Sequence, residues 1–208
     1  YDPTADTWTP TGTGIGVPSP RTFHHAFWTG TDMLIWAGAG FQPTNTGGLY
    51  DPLTDTWRTT STANVPLPGD LLAVWTGHEM IAWGGYRRRA GEPVHMTGGR
   101  YDPASNTWTS VAEDANTPIA RIDGTAVWTG REMVVWGGLS LPDQAVLNSG
   151  GRYDPLLDQW LPTSSTGMLP PPRRHAHTAV WTGTEMLVWG GEGLNGELQD
   201  GFRYGSDL

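Results

Sequence analysis

The sequence predicts an all-β fold built from four repeats of a four-stranded antiparallel sheet, and three observations support this prediction. Two short motifs recur along the whole chain at a spacing of about 50 residues. All 12 tryptophans occupy equivalent positions in these repeats, three in each repeat. Glycine (29 residues) and proline (17 residues) are abundant and lysine is absent, a composition typical of many turns and few helices.

The first two strands of each repeat surround a Trp-Thr-Gly turn. This turn begins at Trp28, Trp75, Trp128 and Trp181, and a second tryptophan follows eight residues later in each repeat. Short apolar runs flank the turn, as in Met133-Val134-Val135-Trp136. Apolar residues at successive positions indicate strands that are buried on both faces, which predicts a hairpin covered by a neighbouring sheet on each side.

The third and fourth strands surround a Tyr-Asp-Pro turn. The four copies begin at Tyr1, Tyr50, Tyr101 and Tyr153, and a tryptophan follows seven residues after each tyrosine. Asp and Pro suit the first two positions of a type I turn, so the preceding Gly-Gly-Arg-Tyr is interpreted as the third strand and the tryptophan lies on the fourth. We interpret the tryptophans as the packing core of the sheets rather than as an exposed row that stacks on sugars.

These motifs resemble the kelch repeat over essentially the whole chain, and the resemblance implies a kelch-type β-propeller of four-stranded antiparallel blades, with four repeats in this chain. The matching features are a glycine pair after the second strand, a Tyr–Trp pair, and an Arg-x-x-His pair before the first strand. They occur at Gly84-Gly85, Gly137-Gly138 and Gly190-Gly191, at Tyr101 with Trp108 and Tyr153 with Trp160, and at Arg21 with His24 and Arg174 with His177. Three repeats depart from this pattern, at Ala37, at Pro68 and Leu71, and at Gly124.

The strand count predicts three complete blades, a final group of three strands that ends near Tyr204, and a strand near residues 7–10. The N-terminal strand would complete the last blade and remove its open edge. We expect residues 1–208 to form a single domain. A small propeller, a segment of a larger one and half of an assembly all fit the repeat count, and the start within a repeat without Met favours a larger protein.

Composition excludes several classes of function. The formal net charge of −9 disfavours binding to nucleic acid, and no apolar run is long enough to span a membrane. The absence of cysteine excludes thiolate metal sites and, among enzymes of the kelch family, the copper oxidases that resemble galactose oxidase. We predict no cofactor, and the style of the repeat favours an extracellular or periplasmic bacterial location.

The strand order places the two kinds of turn on opposite faces. The Trp-Thr-Gly and Tyr-Asp-Pro turns lie on one face and barely vary, so we call it the constant face. The loops before the first strand and after the second strand lie on the other, variable face, and they differ in every repeat. We therefore predict a non-catalytic scaffold whose variable face binds another protein or a subunit of its own assembly. The alternative is a propeller that binds or acts on carbohydrate.

Candidate binding residues on the variable face are large, charged or polar side chains of these loops: Phe41, Tyr86, Arg87, Arg88, Arg89, His95, Leu141, Asp143, Asn195 and Glu197. Three consecutive arginines in an acidic chain are suited to a carboxylate, a phosphate or an acidic protein surface. A solvated loop, or contacts to neighbouring blades, explains the same residues without a ligand.

Histidines supply the only metal-site hypothesis. His175 and His177 are two residues apart, so on a strand they would face the same side, and ring closure would bring them near His24 and His25. Imidazole nitrogens in such a cluster could bind zinc. His24 and His177 also occupy the recurring kelch position, where a hydrogen-bonded structural role is the alternative.

Overall fold

The computed structural model of the protein describes residues 1–69, 71–87, 95–141, 143–163 and 171–205, with the backbone alone for residues 85–87 and 95–97. Every regular element in this part of the chain is a β-strand, as the sequence predicts. In these ranges there is no helix that could cross a membrane. The chain divides into two compact units, unit 1 (Tyr1–Thr62) and unit 2 (Ala63–Leu208).

Unit 1 contains the first blade, a four-stranded antiparallel sheet in the order β1-β2-β3-β4. Its strands are β1 (His25–Trp28), β2 (Met33–Trp36), β3 (Gly47–Asp51) and β4 (Thr56–Thr59). The strand predicted at residues 7–10 is not formed. Thr7 pairs with Asp2 across the Tyr-Asp-Pro turn, but no backbone pairing continues beyond it in unit 1, so the segment has no ladder to join.

Unit 2 contains two further four-stranded blades, which confirms the predicted count of three complete blades. The second blade comprises β5 (Leu71–Trp75), β6 (Met80–Arg87), β7 (His95–Asp102) and β8 (Thr107–Ser110), in that order. Six strands follow in the next repeat: β9 (Arg121–Ile122), β10 (Thr125–Trp128), β11 (Met133–Trp136), β12 (Leu139–Ser140), β13 (Gly150–Asp154) and β14 (Gln159–Pro162). The third blade has the order β10-β11-β13-β14, and β9 pairs with β12 outside it.

The fourth blade has the predicted three strands. The last repeat contains β15 (Thr178–Trp181), β16 (Met186–Trp189), β17 (Glu192–Gly193), β18 (Gly196–Glu197) and β19 (Gly201–Tyr204). Strands β15, β16 and β19 form the sheet, and β17 pairs with β18 in a separate hairpin.

The Trp-Thr-Gly turn uses the same hydrogen bonds in every repeat. In the third blade, the Thr129 N–H donates to the Glu132 carbonyl at 3.0 Å, and the Glu132 N–H donates to the Thr129 hydroxyl at 2.9 Å. The buried Glu132 carboxylate then pairs with Arg152 of the Gly-Gly-Arg-Tyr strand at 3.2 Å. In the second to fourth repeats, the Glu of this turn thus pairs with the Arg of the third strand, whereas in the first repeat Asp32 pairs with Arg58 of β4.

The Tyr-Asp-Pro turn also has one structure throughout. In the third blade, the Tyr153 hydroxyl donates to Asp158 at 2.5 Å, and the Asp154 carboxylate accepts from the Leu156 N–H at 2.9 Å. The residue five positions after each tyrosine has a left-handed backbone, with φ between 51° and 54°, at Asp6, Asp55, Asn106 and Asp158. Asp and Asn tolerate this conformation better than other non-glycine residues, which explains why the position is always one of the two.

Asp158 also contacts the segment that leaves the preceding repeat. Its Oδ1 atom accepts a hydrogen bond from the Ala112 N–H at 3.0 Å, in addition to the one from Tyr153. The Asp114 carboxylate, two residues further on, accepts from the Trp160 N–H at 2.9 Å. These bonds hold the segment after the second blade against the turn of the third.

The core of unit 2 lies between its sheets, where the sequence placed the tryptophans. One cluster contains Trp83 and Trp160, whose ring centroids are 5.1 Å apart, and another contains Trp136. The expectation that every tryptophan packs in a core is wrong for three of them, because Trp8, Trp28 and Trp189 are 82%, 56% and 61% exposed. Each of these three lies on a segment or sheet face that has no neighbouring sheet within its own unit.

Candidate protein-binding surface

On the variable face of unit 2, the loops of the third and fourth blades are joined by backbone hydrogen bonds. The Gly138 N–H donates to the Arg174 carbonyl at 2.9 Å, and the Ala176 N–H donates to the Asp123 carbonyl at 2.8 Å. The ladders β9–β12 and β17–β18 brace the loops from within. Many backbone N–H and C=O groups of these loops are thus hydrogen-bonded, which favours one conformation for the loops.

A buried arginine anchors each of these loops to its blade. The guanidinium of Arg121, which is 2% exposed, donates to the carbonyls of Gly137 at 3.0 Å and Ser149 at 2.7 Å. Burial lowers the pKa of Arg121 to about 10, so it remains charged at neutral pH. Arg174 makes the equivalent bonds to the carbonyls of Gly190 and Asp200, and Arg21 makes them in unit 1. We call these three residues the arginine clasp.

The backbone turns sharply after each clasp arginine. The second residue beyond it is left-handed in all three copies, with φ of 55° at Phe23, 53° at Asp123 and 51° at Ala176. Because of this turn, β15 begins only at Thr178, and His175 and His177 do not share a strand as the sequence analysis expected. His175 instead forms an isolated backbone bridge with Glu192.

His177 is buried between the third and fourth blades. Its Nε2 atom lies 2.8 Å from the Thr125 hydroxyl, and its ring meets the Trp136 ring edge-on at 5.3 Å. Burial, followed by the positive charges of Arg174 and His175, lowers the pKa of His177 to about 4. A neutral His177 packed between the two blades and within hydrogen-bond distance of Thr125 fits the structural role that the sequence analysis gave as the alternative to metal binding.

His175 lies between two carboxylates at the surface of the same loops. Its Nδ1 atom is 3.9 Å from the Asp123 carboxylate, and its Nε2 atom is 3.8 Å from the Glu192 carboxylate. The His175 side chain is mostly buried, whereas Asp123 and Glu192 are about half exposed. The two acids therefore present negative charge to solvent on either side of an imidazole that they do not hydrogen-bond.

Neither histidine pair is part of a larger ligand set in the described residues. In unit 1, His24 is exposed and His25 is half-buried at the start of β1. Across the ranges given above, no three His, Asp or Glu side chains are grouped so that they could hold a metal ion. The zinc hypothesis at His24, His25, His175 and His177 stays a prediction.

The predicted binding residues of the shorter loops differ in accessibility. Phe41 of unit 1 is 99% exposed. Leu141 is 7% exposed and its N–H donates to the Ala120 carbonyl at 2.9 Å, so its side chain packs beneath its loop. Asp143 is exposed and accepts from the Ala145 N–H at 3.2 Å.

Asn195 and Glu197 lie at the tip and on the second strand of the β17–β18 hairpin, and both are exposed. Leu194, the other tip residue, is 73% exposed. The ladder places Glu197 directly opposite Glu192. Like charges opposite each other in a ladder are destabilising by themselves, so stability of the fold does not explain this pair.

The remaining candidates belong to the second blade. Strands β6 and β7 extend further than their counterparts, with Arg87 paired opposite His95 and a bulge between Gly84 and Tyr86. The backbone of Tyr86, Arg87 and His95 is therefore placed on a long hairpin of the variable face. Arg88 and Arg89 lie outside the described residues.

Two groups on this surface were missed by sequence analysis. Arg121 had a detectable signal, because it precedes the glycine pair by the same 16 residues as Arg174. The grouping of Asp123, His175 and Glu192 had no such signal, because it joins loops of two repeats through contacts of side chains that do not recur.

Comparison with known proteins agrees with the repeat pattern and the blades. The KLHDC2/KLHL20/DRC7 Kelch-repeats domain matches residues 71–206 of this chain. The kelch repeat-containing protein kel-10 of Caenorhabditis elegans is 30% identical over 172 residues, which cover 79% of this chain. The chain spans 28% of the length of that relative. With its four-stranded blades, glycine pairs and Tyr–Trp turns, the chain belongs to the kelch-repeat family.

Proposed function

We propose that this chain is a non-catalytic protein-binding scaffold, and that the variable face of unit 2 carries the binding surface. Membership of the kelch-repeat family supports this proposal, because kelch repeats generally serve in protein interactions. The surface comprises Asp123, His175, Glu192, Leu194 and Glu197, and we call it the acidic loop surface.

The observation that carries the proposal is the contrast between the two faces. Turns on the constant face repeat one set of hydrogen bonds, as at Thr129 and Tyr153. Loops on the variable face are held as firmly by the arginine clasp, yet each displays different side chains. Loops that are ordered before binding lose less conformational entropy on binding, which favours affinity.

Charge indicates the kind of partner. Exposed carboxylates of Asp123 and Glu192 flank His175, and Glu197 adds a third negative charge directly opposite Glu192. A cationic protein surface would relieve this repulsion, and Leu194 would supply an apolar contact beside it. We therefore infer a partner that presents Arg or Lys around an apolar residue.

Site-specific photo-crosslinking tests the proposal. A benzophenone side chain is placed at Asn195 on the variable face or, as the control, at Leu156 on the constant face, since both positions are exposed. A partner captured only from position 195 is then purified and titrated with the chain. The double variant Glu192→Lys/Glu197→Lys should weaken its binding at least about tenfold, because it reverses two charges of the surface.

Two outcomes would contradict the proposal. One is equal capture from positions 195 and 156 followed by binding that the double variant does not change. The other is saturable binding to a glycan array that disappears when Arg87, Arg88 and Arg89 are changed together, which would support the carbohydrate hypothesis instead.

A further inference from the structure

The β17–β18 hairpin carries an Asn-Gly pair at its tip. Asn195 and Gly196 are the only place in the chain where glycine directly follows asparagine. The ladder pairs Gly193 with Gly196, so Leu194 and Asn195 form the loop of the hairpin. Gly196 follows this loop with φ of 113°, a conformation that residues with a side chain rarely adopt. The backbone of the hairpin therefore requires glycine directly after Asn195.

The Asn195 side chain is exposed, and it makes no hydrogen bond to any residue that the structure describes. The Asn106 side chain, by contrast, accepts a hydrogen bond from the Tyr101 hydroxyl at 2.7 Å. A Cβ atom added at Gly196 would meet no atom of the described residues within 4 Å. The Asn195 amide is therefore free to rotate, and the space beside Gly196 is open.

This arrangement suits attack of a backbone nitrogen on a side-chain amide. The Gly196 nitrogen follows the Asn195 carbonyl, so a bond from this nitrogen to the Asn195 Cγ atom closes a cyclic imide. A residue with a side chain crowds its own backbone nitrogen and restricts rotation of the chain beside it, whereas glycine does neither. Glycine is therefore the residue that hinders this ring closure least.

We propose that Asn195 is a site of spontaneous deamidation in the folded protein. The Gly196 nitrogen forms a bond to Cγ, the bond from Cγ to the side-chain nitrogen breaks, and this nitrogen leaves as ammonia with the proton of the peptide N–H. Water then adds to one of the two imide carbonyls and breaks its bond to the Gly196 nitrogen. Addition at Cγ gives aspartate, whereas addition at the backbone carbonyl gives isoaspartate, in which the main chain runs through the side chain. Water is the only co-reactant.

Deamidation changes both the charge and the backbone beside the acidic loop surface. Each product places a new carboxylate at the hairpin tip, next to Leu194 and close in sequence to the ladder pair of Glu192 and Glu197. Isoaspartate also lengthens the backbone of the loop that the Gly193–Gly196 pair closes. The reaction does not require a partner, so this inference is independent of the proposed function.

Peptide mapping by mass spectrometry of the full 208-residue chain tests this proposal. The folded protein is incubated at mildly alkaline pH, and trypsin then cleaves after Arg174 and Arg203 to give a peptide whose only asparagine is Asn195. This peptide should gain the mass difference between a hydroxyl and an amino group, and an isoaspartate-specific carboxyl methyltransferase should label part of it. Conversion at Asn195 should be at least about tenfold faster than at Asn116, which is also exposed but is followed by the β-branched Thr117.

Asn195→Gln is the matched variant, because it keeps a neutral amide at this position but its longer side chain would have to close a larger ring. Its peptide should show neither the mass change nor the label, while circular dichroism shows that the variant is folded. A wild-type sample unfolded in urea shows that the conditions permit the reaction. If Asn195 stays unmodified in the folded protein, the proposal is overturned. Equal conversion at Asn195 and Asn116 would overturn it as well.

Discussion

Removal of the Trp160 ring tests whether side-chain packing between blades stabilises unit 2 against unfolding. Trp160 is 1% exposed, and its ring centroid lies 5.1 Å from that of Trp83 and 5.3 Å from that of Tyr153. Burial of a tryptophan contributes at most about 6 kcal/mol at about 25 cal/mol per Å². Neighbouring side chains relax into part of the cavity that the ring leaves, so the loss is smaller than this maximum. Tryptophan-to-alanine changes in protein cores cost about 3–5 kcal/mol. We expect Trp160→Ala to lower the free energy of unfolding by about 4 kcal/mol.

The assay is urea unfolding followed by circular dichroism, with Trp8→Ala as the control. Trp8 is 82% exposed and contacts the Tyr1 ring at 5.1 Å, so its removal should cost less than about 1 kcal/mol. If the two variants differ by less than about 1 kcal/mol, the packing between Trp83 and Trp160 does not stabilise unit 2 and the reasoning from burial is refuted.

Two further predictions concern the arginine clasp and the buried histidine. Arg121→Met keeps the apolar stem but removes donors to three carbonyls, so the free energy of unfolding should fall by about 2–3 kcal/mol in urea titrations. Arg203→Met, at an exposed pair with Glu185, should cost less than about 1 kcal/mol, and equal losses would show that the clasp is not stabilising. Because the pKa of His177 is lowered to about 4 from 6.5, the unfolded chain takes up the proton first as pH falls. The free energy of unfolding should therefore decline by about 2 kcal/mol, after solvent screening, between pH 6.5 and 4, and His177→Gln should remove this part of the decline.

Elements set by local contacts were predictable from the sequence. The hydrogen bonds that close the Trp-Thr-Gly and Tyr-Asp-Pro turns join residues close together in the sequence, such as Thr129 with Glu132 and Tyr153 with Asp158. Repetition of those residues therefore predicted repetition of the hairpins, and through them the blades. The arginine clasp was predictable in principle for the same reason, since Arg121 and Arg174 stand at one fixed distance from the glycine pair.

Features that depend on a neighbour were not predictable in this way. Trp136 and Trp189 share the local pattern Glu-Met-x-Val-Trp-Gly-Gly, yet Trp136 is buried against Met186 and Val188 of another sheet and Trp189 is 61% exposed. The surroundings of His175 were also hidden, because the left-handed Ala176 redirects the chain before β15 begins. This turn recurs two residues after each clasp arginine, at Phe23, Asp123 and Ala176, where no shared residue type marks it in the sequence.

Asp158 accepts hydrogen bonds from two neighbouring repeats, so it links the unfolding of one repeat to that of the other. One carboxylate oxygen receives both the Tyr153 hydroxyl, which closes a turn, and the Ala112 N–H, which belongs to the segment arriving from the previous repeat. If either repeat unfolds, the other loses a hydrogen bond to Asp158. A folded repeat is therefore less stable when its neighbour is unfolded. Coupling between neighbouring repeats favours one cooperative unfolding transition over stepwise unfolding from an end. Hydrogen exchange should then report similar opening free energies for amides in β8 and β14, despite their separation along the chain.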